Sequence, residues 1–105
     1  MLLPTQVLAA GVGAGTSGLI EIASSRSGGA VVRVFGAALT GADVVTIEYL
    51  DSSGTWLPYT VLRETNTPVV AQLSASNNAL ALNETGTYRA VKGITATATG
   101  VEVIA

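Results

Sequence analysis

Residues 44–62, VVTIEYLDSSGTWLPYTVL, hold two runs of period-two alternation around one turn. In Val44–Leu50, the residues Val45, Ile47 and Tyr49 fall on one side and Thr46 and Glu48 on the other. An extended chain points successive side chains to opposite faces, so this spacing predicts a strand with an inward Val-Ile-Tyr face. Asp51-Ser52-Ser53-Gly54 is turn chemistry, because Asp and Ser side chains bond the local backbone and glycine accepts a positive φ. Thr55–Leu62, with Trp56 near its start, is then the returning strand. Pro58 has no N–H to give a ladder, which marks that strand as an edge or a bulge.

The same pattern continues on both sides of this hairpin. Gly18–Ser24 (GLIEIAS) puts Ile20 and Ile22 on one face and Glu21 on the other, and Ser27-Gly28-Gly29 predicts a turn. Ala30–Phe35 sets Val31, Arg33 and Phe35 opposite Val32 and Val34, and a Gly/Ala-rich stretch leads on to the hairpin. Val69–Ser74, Ala79–Asn83, Thr87–Lys92 and Gly100–Ala105 complete the series, with turns at Ser76-Asn77-Asn78 and Asn83-Glu84-Thr85-Gly86. No window carries an apolar stripe at helical spacing with capping signals. About eight short strands with turn signals between them predict an all-β, antiparallel sandwich. Its expected core is Ile20, Ile22, Val32, Val34, Val45, Ile47, Leu80, Leu82, Tyr88, Val101 and Val103. Val31, Arg33 and Phe35 share a side that includes a charge, and that set is expected to meet a partner.

Composition narrows the chemistry. The 105 residues include no His and no Cys, which removes imidazole and thiol catalysis, zinc and iron–sulfur ligation by those groups, and disulfides. Only 11% of residues are charged, against about 25% in ordinary soluble domains. The five cations (Arg26, Arg33, Arg63, Arg89, Lys92) are scattered and the net charge is −2, so no footprint for a phosphate backbone is expected. A mean hydropathy of +0.52 predicts that part of the surface packs against another protein.

Met1–Gly15 (MLLPTQVLAAGVGAG) is apolar, yet no Lys or Arg precedes Arg26, and Pro4 and Gln6 interrupt the run. It reads as neither a secretory signal nor a membrane span. The expected organisation is an extended Gly/Ala-rich arm over 1–17 and a sandwich domain over 18–105. Ordering such an arm costs roughly 1–2 kcal/mol per residue, which burial of Leu2, Leu3, Val7 and Leu8 would just about offset. The arm is therefore expected to reach onto a second protein and add a strand to its sheet.

Glu21, Glu48 and Glu102 sit on polar sides of strands, and no spacing suggests the facing carboxylates that glycoside hydrolysis needs. Asp51-Ser52-Ser53-Gly54 lacks the later carboxylate of a calcium loop. The glycines at 11, 13, 15 and 18 precede a strand, not the helix that a dinucleotide fingerprint opens. No catalytic residue, cofactor or metal is expected. Trp56, with Tyr49 and Tyr59, is the candidate for a sugar-stacking platform.

Leu80-x-Leu82-x-x-x-Gly86-x-Tyr88 resembles the tyrosine corner of immunoglobulin-like sandwiches. That resemblance implies an immunoglobulin-like order of strands and a Tyr88 hydroxyl bonded to backbone in Leu80–Thr85. The residue two after Tyr88 is Ala90 and not Cys, so such a sandwich would lack the disulfide. Across most of its length, the chain also resembles the small β-sandwich virion proteins of tailed bacteriophages. The features that carry this are the arm over Thr5–Ser17, the run VVTIEYLDSSGTW and the ending LNETGTYRAVKGITATATGVEVIA. The resemblance implies a capsid cement or decoration protein on the virion surface. Its expected partners are the major capsid protein or another virion protein and copies of itself, as a trimer. The alternative is a surface or tail-associated module that touches host carbohydrate through Trp56.

Overall fold

The computed structural model describes residues 4–22, 30–62 and 68–104. Leu2, Leu3 and the turn expected at Ser27-Gly28-Gly29 lie outside them. Among the described residues the chain forms twelve strands and no helix: β1 Thr5–Gly11, β2 Gly15–Thr16, β3 Ile20–Ile22, β4 Ala30–Gly36, β5 Val45–Leu50, β6 Trp56–Pro58, β7 Thr60–Leu62, β8 Pro68–Val70, β9 Gln72–Leu73, β10 Ala79–Leu82, β11 Gly86–Lys92 and β12 Thr99–Ile104. All of their pairings are antiparallel. The all-β class read from the alternation is the class observed.

One sheet runs β1-β12-β4-β10. The other runs β2-β11-β5-β6, with β3 also paired to β11 and β9 to β5. From β1 to β5 the chain changes sheet at each main step. It does so again from β9 through β10 and β11 to β12. This is the wrapped order of a double-sheet jelly roll. It corrects the immunoglobulin-like order expected from the sequence, in which the last two strands are neighbours in one sheet. Here β12 lies between β1 and β4, while β11 lies in the opposite sheet. Alternation identifies strands but not their neighbours, and the Tyr88 corner marks one crossing between sheets without fixing where the last strand pairs.

The hairpin that opened the reading forms as expected. The Asp51 Oδ1 atom accepts from the Ser53 and Thr55 amides at 3.0 and 2.9 Å and from the Ser53 hydroxyl at 2.7 Å. Gly54 takes φ +84°, a conformation that glycine adopts without a Cβ penalty. The Ser53 hydroxyl, followed by the backbone donors, holds the Asp51 carboxyl below its usual 3.8. A lowered carboxylate contributes stability that is whole above the unfolded value and fades as pH falls through the folded one. Urea midpoints should therefore drop below pH 4 by less in Asp51→Asn than in the parent.

Beyond the turn, the expected Thr55–Leu62 strand breaks at the proline. Ile47 is the junction. Its carbonyl accepts from Tyr59 at 2.9 Å, its N–H donates to Ala71 at 2.9 Å, and Ala71 donates to Tyr59 at 2.7 Å. Thus β6 and β9 lie end to end along β5, and the β7–β8 hairpin leaves the sheet between them.

The core lies between the sheets. Nine of the eleven expected core residues are buried, and Val34 and Leu80 are half-buried. Ala30, Leu39, Ala71, Leu73 and Ala90 join them. At Gly100 of β12, side chain and backbone of the neighbouring strands β4 and β1 leave no room for a Cβ. A Cβ there would stand 2.5 Å from the Phe35 ring and 2.8 Å from the Ala10 backbone nitrogen. The ring could turn aside, but the backbone of β1 could not. Gly100→Ala should cost about 1–3 kcal/mol, the usual penalty of overpacking, read as a lowered urea midpoint.

The arm expected over 1–17 is corrected over its described part, because the segment is built into the sandwich. Thr5, Gln6, Leu8 and Gly11 of β1 pair with Val103, Glu102, Val101 and Thr99 of β12. Val7 and Leu8 pack on the chain's own core. The physical reason is that β12 offers an unpaired ladder within reach, so the backbone bonds that make ordering worthwhile come from the same chain.

Candidate functional site

The candidate residues separate into three places. Val7 and Leu8 serve the interior. Arg33 and Phe35 stand on the outer face of the β4–β12 pair, in line beyond the facing Val31 and Ile104, all half-buried. The Arg33 guanidinium bonds the Glu102 carboxylate across the strands, and Phe35 lies over Gly100. Trp56 belongs to the other sheet's outer face, where the Arg89 guanidinium sits 4.3 Å from its ring centroid. Arg89 also pairs with Glu48 at 2.7 Å. Among the described residues each outer face thus carries a matched ion pair, and Glu21 stands exposed on the second. Partly exposed pairs are worth about 0–1 kcal/mol each, so the main effect of the Arg33–Glu102 pair is to leave the β4–β12 face electrically quiet. Arg89 thus covers one face of the Trp56 ring.

The structure gathers its polar chemistry in a groove of about 430 Å³ beside the tyrosine corner, bordered by Tyr49, Tyr59, Glu84, Thr85, Thr87 and Tyr88. Tyr88 enters it because β11 alternates Tyr88, Ala90 and Lys92 inward. Its hydroxyl donates to the Glu84 carbonyl at 2.9 Å, the corner bond expected from the sequence. Tyr59 stands at the break after Pro58 and donates its hydroxyl to Glu84 Oε1 at 2.6 Å. Its ring meets Tyr88 and Tyr49 edge-on, with centroids 5.2 and 6.2 Å apart. Burial first, and then the bond to Glu84, push the Tyr59 phenol well above its usual range. Burial and the Glu84 charge raise Tyr88. Both phenols therefore stay protonated and act as donors. With one carboxylate and neutral hydroxyls the groove can bind hydrogen-bonding groups, and it holds no acid–base pair among the described residues. Tyr88→Phe should cost about 0.5–1.5 kcal/mol, the net worth of one hydrogen bond, seen as a lower unfolding midpoint.

Sequence reasoning missed Lys92, which is 3% exposed. Its ammonium donates to the Gly11 carbonyl at 2.9 Å and to the Gly13 carbonyl, with Thr95 Oγ1 at 3.4 Å. It ties the β1–β2 corner to the end of β11. The signal was available, since Lys92 falls on the same parity as Tyr88 and Ala90. No group of three metal-ligating side chains comes together among the described residues, and no helix there is long and apolar enough to cross a membrane. Comparison with protein-family models, curated proteins and solved structures gives no match for this chain.

Proposed function

We propose that this chain is a structural virion protein of a tailed phage, a capsid cement or decoration protein that binds the assembled shell and copies of itself. The observation that carries the reading is the outer face of β4 and β12. There Val31, Phe35 and Ile104 flank the matched Arg33–Glu102 pair. An electrically quiet, partly apolar sheet face suits a protein partner. Double-sheet jelly rolls recur in viral capsids, an analogy at the level of fold alone. Binding only the intact shell would stabilise it by mass action. Sedimentation with empty heads tests this: the protein should pellet with them, and Val31→Asp should reduce binding at least about tenfold, since it buries an unpaired charge. Protein left in the supernatant at all concentrations contradicts it.

The second reading, a carbohydrate-binding module, is favoured by the tyrosine groove more than by Trp56. Glu84 and the Thr85 and Thr87 hydroxyls supply partners for sugar hydroxyls beside aromatic edges. Saccharide titrations followed by the Tyr59 and Tyr88 ring resonances would decide it, with Glu84→Gln abolishing any shift.

A further inference from the structure

Four margins bound the two main sheets, and three are blunted among the described residues. On β1 the register slips between Gln6 and Leu8 and again between Leu8 and Gly11, and the Val7 carbonyl already accepts from Gly18 at 3.0 Å. The β2/β3 margin consists of strands of two and three residues. The β6/β9 margin contains Pro58 and is interrupted by the β7–β8 hairpin. Short strands, bulges and proline are the devices by which proteins keep sheet edges from pairing. The fourth margin, β10, has none of them. It reads Ala79-Leu80-Ala81-Leu82, without charge, proline or bulge, and pairs in unbroken register with β4.

The direction of its free groups follows from one bond. Val34 donates to the Asn78 carbonyl at 3.0 Å, which makes Asn78–Val34 a bonded pair. Bonded and non-bonded pairs alternate along an antiparallel ladder. Leu80 and Leu82 therefore bond towards β4, and Ala79 and Ala81 turn their N–H and C=O groups to the open side. Leu80 was expected in the core, yet it is only half-buried at this margin.

We infer that β10 pairs with β10 of a second copy, antiparallel, across a two-fold axis at Leu80. The strand is its own complement there. Ala79 of one copy faces Ala81 of the other, each pair exchanging both backbone bonds, and Leu80 meets its symmetry mate in the close, non-bonded position between them. The alanine methyls leave room for the approach, and the pairing completes the burial of Leu80. Two four-stranded sheets become one of eight strands. Such an isologous contact closes at two copies, so the expected trimer is replaced by a dimer. The inference stands apart from the proposed role on a phage shell, since pairing in solution does not depend on any shell.

Light scattering on the eluting full-length chain should give twice its 10.5 kDa mass. Ala81→Pro removes an outward donor and sets its ring on the open side, so it should elute as a monomer with an unchanged circular-dichroism spectrum. Leu80→Cys, the single thiol in a chain without cysteine, should form a covalent dimer under mild oxidation. A wild-type monomer at about 100 μM, far above the Kd expected of a specific interface, would overturn the inference. So would a trimer, a dimer that survives Ala81→Pro, or a Leu80→Cys protein that stays uncrosslinked.

Discussion

Removal of residues 1–15 should abolish cooperative folding. The deletion takes away β1 and with it the half-buried Val7 and Leu8, each worth up to about 1.5–3 kcal/mol when fully buried. It leaves the ladder of β12 open on one side. It also strips Lys92 of the Gly11 and Gly13 carbonyls, so the ammonium is opened to water and loses two hydrogen bonds of the charged kind, each worth about 1.5–3 kcal/mol. Together these losses are of the same order as the roughly 5–15 kcal/mol that holds a domain folded. Urea titration followed by tryptophan fluorescence should show no sigmoidal transition. A truncated chain unfolding within about 1 kcal/mol of the parent would restore the free-reaching arm that the sequence suggested.

Ile47→Ala should be the most damaging single truncation, at about 2–5 kcal/mol. The side chain has no exposed surface, and its strand lies between β11 on one side and β6 and β9 on the other. Because its backbone joins Tyr59 and Ala71, the neighbours are pinned and cannot collapse into the cavity. With a urea slope of about 1–3 kcal/mol/M, the midpoint should fall by about 1 M or more. Thr46→Ala, facing outward one residue earlier, serves as the comparison and should cost only about 0.5–1.5 kcal/mol, the worth of the hydrogen bond its hydroxyl accepts from Gln72 Nε2 at 3.2 Å.

What was legible in the sequence was whatever rests on parity and turn chemistry. Alternation placed Ile20, Ile22, Val45, Ile47, Val101 and Val103 in the core, and Asp51 to Gly54 announced the hairpin. The corner was legible because Tyr88 stands a fixed distance from Leu82 and Gly86. The order of strands was not, because pairing partners are chosen by long-range packing that no local pattern records. The place of the N-terminal segment was misread for a related reason. Thr5–Gly11 carries weak alternation and two register slips, so its strand character appears only against β12. The polar groove was hidden because Tyr59 and Glu84, twenty-five residues apart, meet only through the hairpin break and the corner.

The proposed virion role can be read directly by imaging. Electron cryo-microscopy of purified heads incubated with the protein should show added density at regular positions on the shell, lost with Val31→Asp. Heads that remain bare at saturating protein would contradict the proposed function.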